Sequence, residues 1–100
     1  MDALFNIQAA QVDGTALVVA KGEIDLATAP ILRQTIEQLH GQVIVDLTKV
    51  TFLDSSCIGV LVGQKNRLAR TDGDVVLRGV GNGLVRRTLE IVGLRDWIED

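Results

Sequence analysis

The sequence predicts an α/β domain: one mixed, mostly parallel β-sheet with an N-terminal hairpin and about three helices, in the order ββαβαβα. Three observations predict it. The apolar residues switch from strand-like to helical spacing three times along the chain. An Asp13-Gly14 pair separates two β-rich stretches near the start, which is a two-residue hairpin signal. The strand and helix alternation that follows requires crossover connections and therefore parallel strands, whereas the opening hairpin is antiparallel.

Each element has a local reason. Phe5, Ile7 and Ala9 alternate with polar neighbours, and Thr15 to Lys21 is β-rich. After Gly22-Glu23-Ile24-Asp25 the period changes, and Ile31, Leu32, Ile36 and Leu39 fall on one helical face. Thr28 is the expected N-cap, Pro30 fits the first turn and Gly41 stops the helix, which is expected from about Ala27 to His40. Val43 to Leu47 is apolar on nearly every residue, as at the centre of a covered parallel sheet. A turn is expected around Thr48 and Lys49, before Val50, Phe52 and Leu53. Asp54-Ser55-Ser56 then offers N-cap chemistry for a second helix carrying Ile58, Leu61, Val62, Lys65 and Leu68, closed by Thr71 to Asp74. Val75 to Arg78 reads as the last strand and Gly79 to Gly83 as a turn. Asn82 caps a third helix with Leu84, Val85, Thr88, Leu89 and Val92 facing inward, and Gly93 follows it as a C′ residue.

Composition excludes several function classes. A chain of 100 residues forms one domain, spanning residues 1–100, and buries roughly 60 to 65% of its unfolded surface. Val, Ile and Leu supply 34 residues, whereas Phe5, Phe52 and Trp97 are the aromatics, too few for a base-stacking platform. A net charge of −3 opposes a grip on phosphate backbones, so no nucleic acid is expected as a partner. Cys57 and His40 are single, which leaves no disulfide and no zinc cage, and no cofactor is expected. No apolar run is long enough to cross a bilayer and no leader pattern stands at the N-terminus, so the expectation is a cytoplasmic protein without membrane contact. Residues 1–60 hold 3 basic and 7 acidic groups, and residues 61–100 hold 7 and 6, so the acid is concentrated in the first part. Arg86, Arg87 and Arg95 read as a solvated stripe and His40 as a surface residue. Gly79 to Gly83 lacks the Lys and Ser/Thr of a phosphate loop.

The run Val43-Ile-Val-Asp-Leu-Thr-Lys-Val-Thr-Phe-Leu-Asp-Ser-Ser-Cys-Ile-Gly-Val-Leu-Val62 resembles the signature of STAS domains, specifically the bacterial anti-sigma factor antagonists. Gly22-Glu23-Ile24-Asp25, with Ala29-Pro30 and Leu32-Arg33, is similar to the family's second block, and Val92-Gly93-Leu94 to a third. The resemblance implies a single STAS domain with no catalysis of its own. It implies that Ser55 is phosphorylated by a partner that is both an anti-sigma factor and a serine kinase. The unphosphorylated protein would bind that partner and free the sigma factor, and a serine phosphatase would reset the cycle. Carried over by position, the partner-binding residues are Asp25, Asp54, Ser55, Ser56, Cys57, Ile58 and Gly59, with Ser56 as the alternative phosphoacceptor and a monomer or weak dimer as the expected state.

The residues support a switch at Ser55 on physical grounds. A phosphate at a helix N-terminus meets unpaired N–H groups and the positive end of the helix dipole, so the fold is expected to survive while the added charge, beside Asp54 and Asp25, repels a partner. The bland alternative is that Asp54, Ser55 and Ser56 only cap the helix. Cys57 stands where the family usually has Gly, and Ile58 where Leu is more frequent. A side chain there is expected to crowd an approaching partner. A thiol in a first helical turn can be acidic and redox-active, whereas an isolated Cys in an aliphatic chain is more often buried filler. Two other function classes stand beside the switch. One is a STAS adaptor or scaffold subunit in a stress-signalling or transport complex, whose usual marks, an extra sensory domain or a degenerate acidic block, are missing from these residues. The other is a serine hydrolase, which one His and no G-x-S-x-G elbow argue against.

Overall fold

The hairpin forms where the Asp13-Gly14 pair predicts it. Strands β1 (Asn6–Val12) and β2 (Thr15–Ile24) pair antiparallel with Val12 opposite Thr15, leaving Asp13, at φ 55°, and Gly14 as the loop. The structure, a computed structural model, describes residues 5–99; the ends of the expected domain, residues 1–4 and 100, lie outside the described residues. Strands β3 (Gln42–Leu53), β4 (Asp74–Arg78) and β5 (Ile98–Glu99) continue the sheet in parallel, in the order β1-β2-β3-β4-β5. The apolar run from Val43 is therefore central, as expected. Helices α1 (Ala29–Glu37), α2 (Ser55–Ala69) and α3 (Gly83–Ile91) make the crossovers, and a short 3₁₀ turn, Arg95–Trp97, leads into β5. That turn and the two-residue β5 extend the expected element order.

Register explains the core. Ala16, Val43 and Val75 form one row across three strands, and Val18, Val45 and Leu77 the next; all six are buried. Onto this face α1 and α2 pack, against each other and, through α2, against β4, while α3 packs on β3. The opposite face carries Leu17, Val19, Ile44 and Val76, which stay half-buried.

The expected turn at Thr48 and Lys49 does not form. Strand β3 runs through it, because its pairing with β2 absorbs two irregularities, where Val19 and Lys21 pair with Asp46 and Lys49, and Gly22 and Glu23 with Val50 and Phe52. Each inserts one extra residue on β3 and flips the alternation. The buried positions are therefore Val43, Val45, Leu47, Val50 and Leu53, a spacing that changes from two to three. Read as simple alternation, that slip looks like a strand break.

The helices differ from expectation mainly at their ends and flanks. Thr28 is the N-cap of α1 as expected, but its side chain makes no capping bond; Asp25 holds the turn before it, the helix begins at Ala29, and it ends at Glu37, short of the expected His40. Ile31, Val62, Leu84 and Val92, expected inward, are exposed, and Lys65 is only half-buried; Ala29 and Cys57 take core places instead. Arg67 of α2 donates to the carbonyls of Ile36 and Leu39 at 2.9 and 3.2 Å and so satisfies the end of α1. Its Nε donates to the buried Gln64 at 2.7 Å. Helix α3 ends as expected: Gly93 is left-handed at φ 85°, its N–H bonds the Glu90 carbonyl, and the Leu94 N–H bonds that of Leu89.

Candidate functional site

Two acidic turns meet at the carboxyl ends of the parallel strands, the end at which open α/β sheets place their binding residues. Ile24 and Leu53 are register partners in β2 and β3, and the residue after each is an aspartate. The Asp54 N–H donates to the Ile24 carbonyl at 3.2 Å, which holds the two turns side by side.

Each carboxylate shapes its own turn. Asp25 Oδ1 accepts from the N–H groups of Ala27 and Thr28 at 3.0 and 3.1 Å, while Thr28 Oγ1 donates to the Glu23 carbonyl and accepts from the Asp25 N–H, both at 2.9 Å. Asp54 is the N-cap of α2, and its Oδ1 accepts from the Ser56 N–H at 2.8 Å. The Asp54 carbonyl takes the N–H groups of Cys57 and Ile58 at 3.1 and 3.3 Å. The expectation that a phosphate here meets several open N–H groups is therefore corrected: those of Ser56, Cys57 and Ile58 are already used.

The sequence-predicted residues separate by exposure. Ser55, the first residue of α2, and Gly59, one turn further, are exposed; Asp25, Asp54, Ser56 and Ile58 are half-buried. Cys57 is 0% exposed and belongs to the core. It is therefore removed from the contact surface and cannot crowd a partner. Burial first, and the Asp54 charge second, push its thiol up to about 12. That shift is opposite to the one a redox-active thiolate needs, so the redox reading is set aside.

Sequence reasoning missed the apolar rim. Leu26, directly after Asp25, is 79% exposed, and Phe52, paired with Glu23, is 39% exposed. The signal for Leu26 was a large apolar residue fitting the periodicity of neither flanking element. The arginine stripe is only partly solvated: Arg87 and Arg95 are exposed, but Arg86 donates to the Val80 carbonyl at 3.1 Å and lies 3.6 Å from Glu90. Among the described residues no cluster of three or more His, Cys, Asp or Glu side chains could hold a metal ion, and no helix is long and apolar enough to cross a membrane.

This arrangement can present an acidic, apolar-rimmed surface with an accessible hydroxyl at its centre. Comparison with known proteins agrees with the fold beneath it. The STAS domain family model matches residues 6–99. The chain is 36% identical to the anti-sigma-B factor antagonist of Listeria monocytogenes, covering 99% of this chain and 89% of that protein. It is 31% identical to the Bacillus subtilis protein of the same name, covering 94% and 88%. Among solved structures, the unphosphorylated anti-sigma factor antagonist SpoIIAA superimposes with a TM-score of 0.84 at 25% identity, covering 95% of this chain and 87% of that one. The phosphorylated form of SpoIIAA, from Bacillus, shares the fold with a TM-score of 0.73 at 22% identity, covering 96% and 89%. With the β2 and β3 ends, the capped second helix and these relatives in agreement along nearly its whole length, the chain belongs to the STAS domain family, among the anti-sigma factor antagonists.

Proposed function

We propose that this chain is an anti-sigma factor antagonist that works as a phosphorylation-switched binding module in the cytoplasm, without catalysis of its own. Unphosphorylated, it binds an anti-sigma factor that is also an ATP-dependent serine kinase, and the sigma factor is released. Phosphorylation on Ser55 ends that binding, and a serine phosphatase restores it. The binding surface is Asp25, Asp54, Ser55, Ser56, Ile58 and Gly59, with Leu26 and Phe52 as its apolar rim.

One observation carries this reading: an exposed serine is the first residue of a 15-residue helix, next to two acidic turns tied together by the Asp54–Ile24 hydrogen bond. The exposure of Ser55 favours it over the half-buried Ser56 as phosphoacceptor. The names of the relatives, and the existence of SpoIIAA structures in both phosphorylation states, support the same assignment. Phosphorylation adds about −1.5 to −2 charge at neutral pH. Because Asp54 already holds the Ser56 N–H, the phosphate gains little inside the helix and presents its charge outward, beside the two aspartates. A loss of about 2 to 3 kcal/mol in binding lowers affinity roughly 30- to 150-fold, sufficient for a switch.

The test mixes the protein with candidate anti-sigma kinases and ATP and reads the intact mass. A single phosphate is expected on Ser55, absent in Ser55→Ala, which binds the kinase tightly. Modification at Ser56 overturns the site assignment, and wild-type binding by Ser55→Asp overturns charge repulsion as the switch.

A further inference from the structure

The sheet face opposite the α1 and α2 layer carries a feature that the switch does not use. A depression of about 430 Å³ lies there, lined by Phe5, Asn6, Gln8, Val19, Lys21 and Lys49. Its volume falls in the roughly 300–1,000 Å³ range of small-molecule sites. The strand register accounts for the lining: Asn6, Lys21 and Lys49 form one row across β1, β2 and β3, and Gln8 and Val19 belong to the next. The β3 irregularity between Asp46 and Lys49 lies at this point, and such bulges bend and twist a strand locally.

Two lysines directly opposite each other on neighbouring strands repel. Neither Lys21 nor Lys49 makes an ion pair within 4 Å among the described residues. Asp46, in the next row, is near enough to Lys49 to feel its charge, but its Oδ1 accepts from the Thr48 N–H at 2.9 Å. Glu23, two residues beyond Lys21 in β2, does not line the depression. The depression thus brings two lysines together with the apolar side chains of Val19 and of Phe5, which also packs against the core, and with the amides of Asn6 and Gln8. We propose that this face binds a small soluble molecule that carries a phosphate or carboxylate beside an aromatic or short aliphatic body. The anion lies between Lys21 and Lys49, the apolar body rests on Phe5 and Val19, and the amides of Asn6 and Gln8 supply hydrogen bonds at the border. The anion relieves the lysine repulsion, so the site is stabilised by what it binds.

The experiment titrates the isotope-labelled protein with phenyl phosphate and follows backbone amide shifts. Saturable shifts at Asn6, Gln8, Val19, Lys21 and Lys49 are expected, with a Kd of roughly 0.1–1 mM. The Lys21→Gln/Lys49→Gln double variant is expected to weaken binding at least about tenfold, with the α1 and α2 resonances unmoved as evidence that the fold is intact. Shifts that never saturate, shifts confined to Ser55–Ile58, or equal affinity in the double variant overturn the site. A parallel arm uses phosphatidylcholine vesicles with and without phosphatidate. Lysine-dependent binding to phosphatidate vesicles without any response to phenyl phosphate assigns the face to a lipid surface and overturns the soluble ligand.

Discussion

The amide of Asp54 donates to the carbonyl of Ile24 at 3.2 Å, one residue beyond the Ile24–Leu53 pair in the parallel ladder. This bond turns strand register into site geometry. It fixes the start of α2 against the turn that Asp25 organises, so the position of Ser55 is set by sheet pairing as much as by its own helix.

Because Asp54 both caps α2 and carries charge on the proposed surface, two substitutions separate these roles. Asp54→Ala removes the bond to the Ser56 N–H and is expected to cost about 1 kcal/mol in urea denaturation. Asp54→Asn keeps a capping oxygen and is expected to stay within about 0.5 kcal/mol of wild type. If Asp54→Asn nevertheless weakens partner binding as strongly as Asp54→Ala, the charge, and not the cap, is what the partner reads. Equal destabilisation by both variants contradicts the capping role.

Burial makes Cys57 a pH-sensitive element of the core. Its thiol ionises at about 12 in the folded protein against 9.0 when exposed, so below pH 9 both states hold the proton and stability is unaffected. As pH rises above 9, the unfolded chain loses its proton first and stability falls until the folded thiol also ionises. A loss of about 1.4 kcal/mol by roughly pH 10 is expected for wild type relative to Cys57→Ala. In the native protein at neutral pH, iodoacetamide is expected to leave Cys57 unmodified until denaturant exposes it. Rapid alkylation without denaturant contradicts the buried placement.

Much of this molecule was legible because local signals agreed with the tertiary result. The Asp13-Gly14 loop, the Asn82 cap of α3 and the Gly93 terminus form as their residue types dictate. Legibility failed where long-range pairing overrode local pattern. No sequence period reveals that β3 pairs with β2 through two irregularities, so Thr48 and Lys49 looked like a turn. Helical spacing likewise could not tell which flank of α2 meets the sheet, and it assigned Val62 to the core and left Cys57 open. At the candidate site, the motif led to Asp25, Asp54 and Ser55, but their approach is written in the hydrogen bond between Asp54 and Ile24.

Lys65 ties α2 to the start of β4 by pairing with Asp74, and its Nζ lies 4.6 Å from the Trp97 ring centroid. The hydrogen bond from Lys65 is the main cause that holds the Asp74 carboxyl below its ordinary value; partial burial opposes it, and the Val75 N–H assists. A depressed carboxyl stabilises the fold above its unfolded value of 3.8 and loses that contribution as pH falls through the folded one. Asp74→Asn is therefore expected to be less stable than wild type near neutral pH, with the gap closing in acid below about pH 4. Trp97, the sole tryptophan, reports unfolding by its emission. A gap that persists unchanged well below that pH contradicts the linkage.

Two glycines are expected to respond to alanine with opposite signs. Gly41 has φ 74°, and a β-carbon there would stand 2.2 Å from the Gly14 carbonyl oxygen, which accepts from the Gln42 N–H at 2.8 Å. Neither backbone can retreat without breaking the contact between the hairpin loop and the start of β3. Gly41→Ala combines left-handed strain with a backbone collision and is expected to cost about 2–4 kcal/mol. Gly63, exposed in the middle of α2, has nothing within 4 Å of the corresponding position. Gly63→Ala is expected to stabilise the protein by about 0.5–1 kcal/mol by reducing the freedom of the unfolded chain. Urea denaturation measures both, and a stable Gly41→Ala variant means that the hairpin loop does not pack on the entrance to β3 as described.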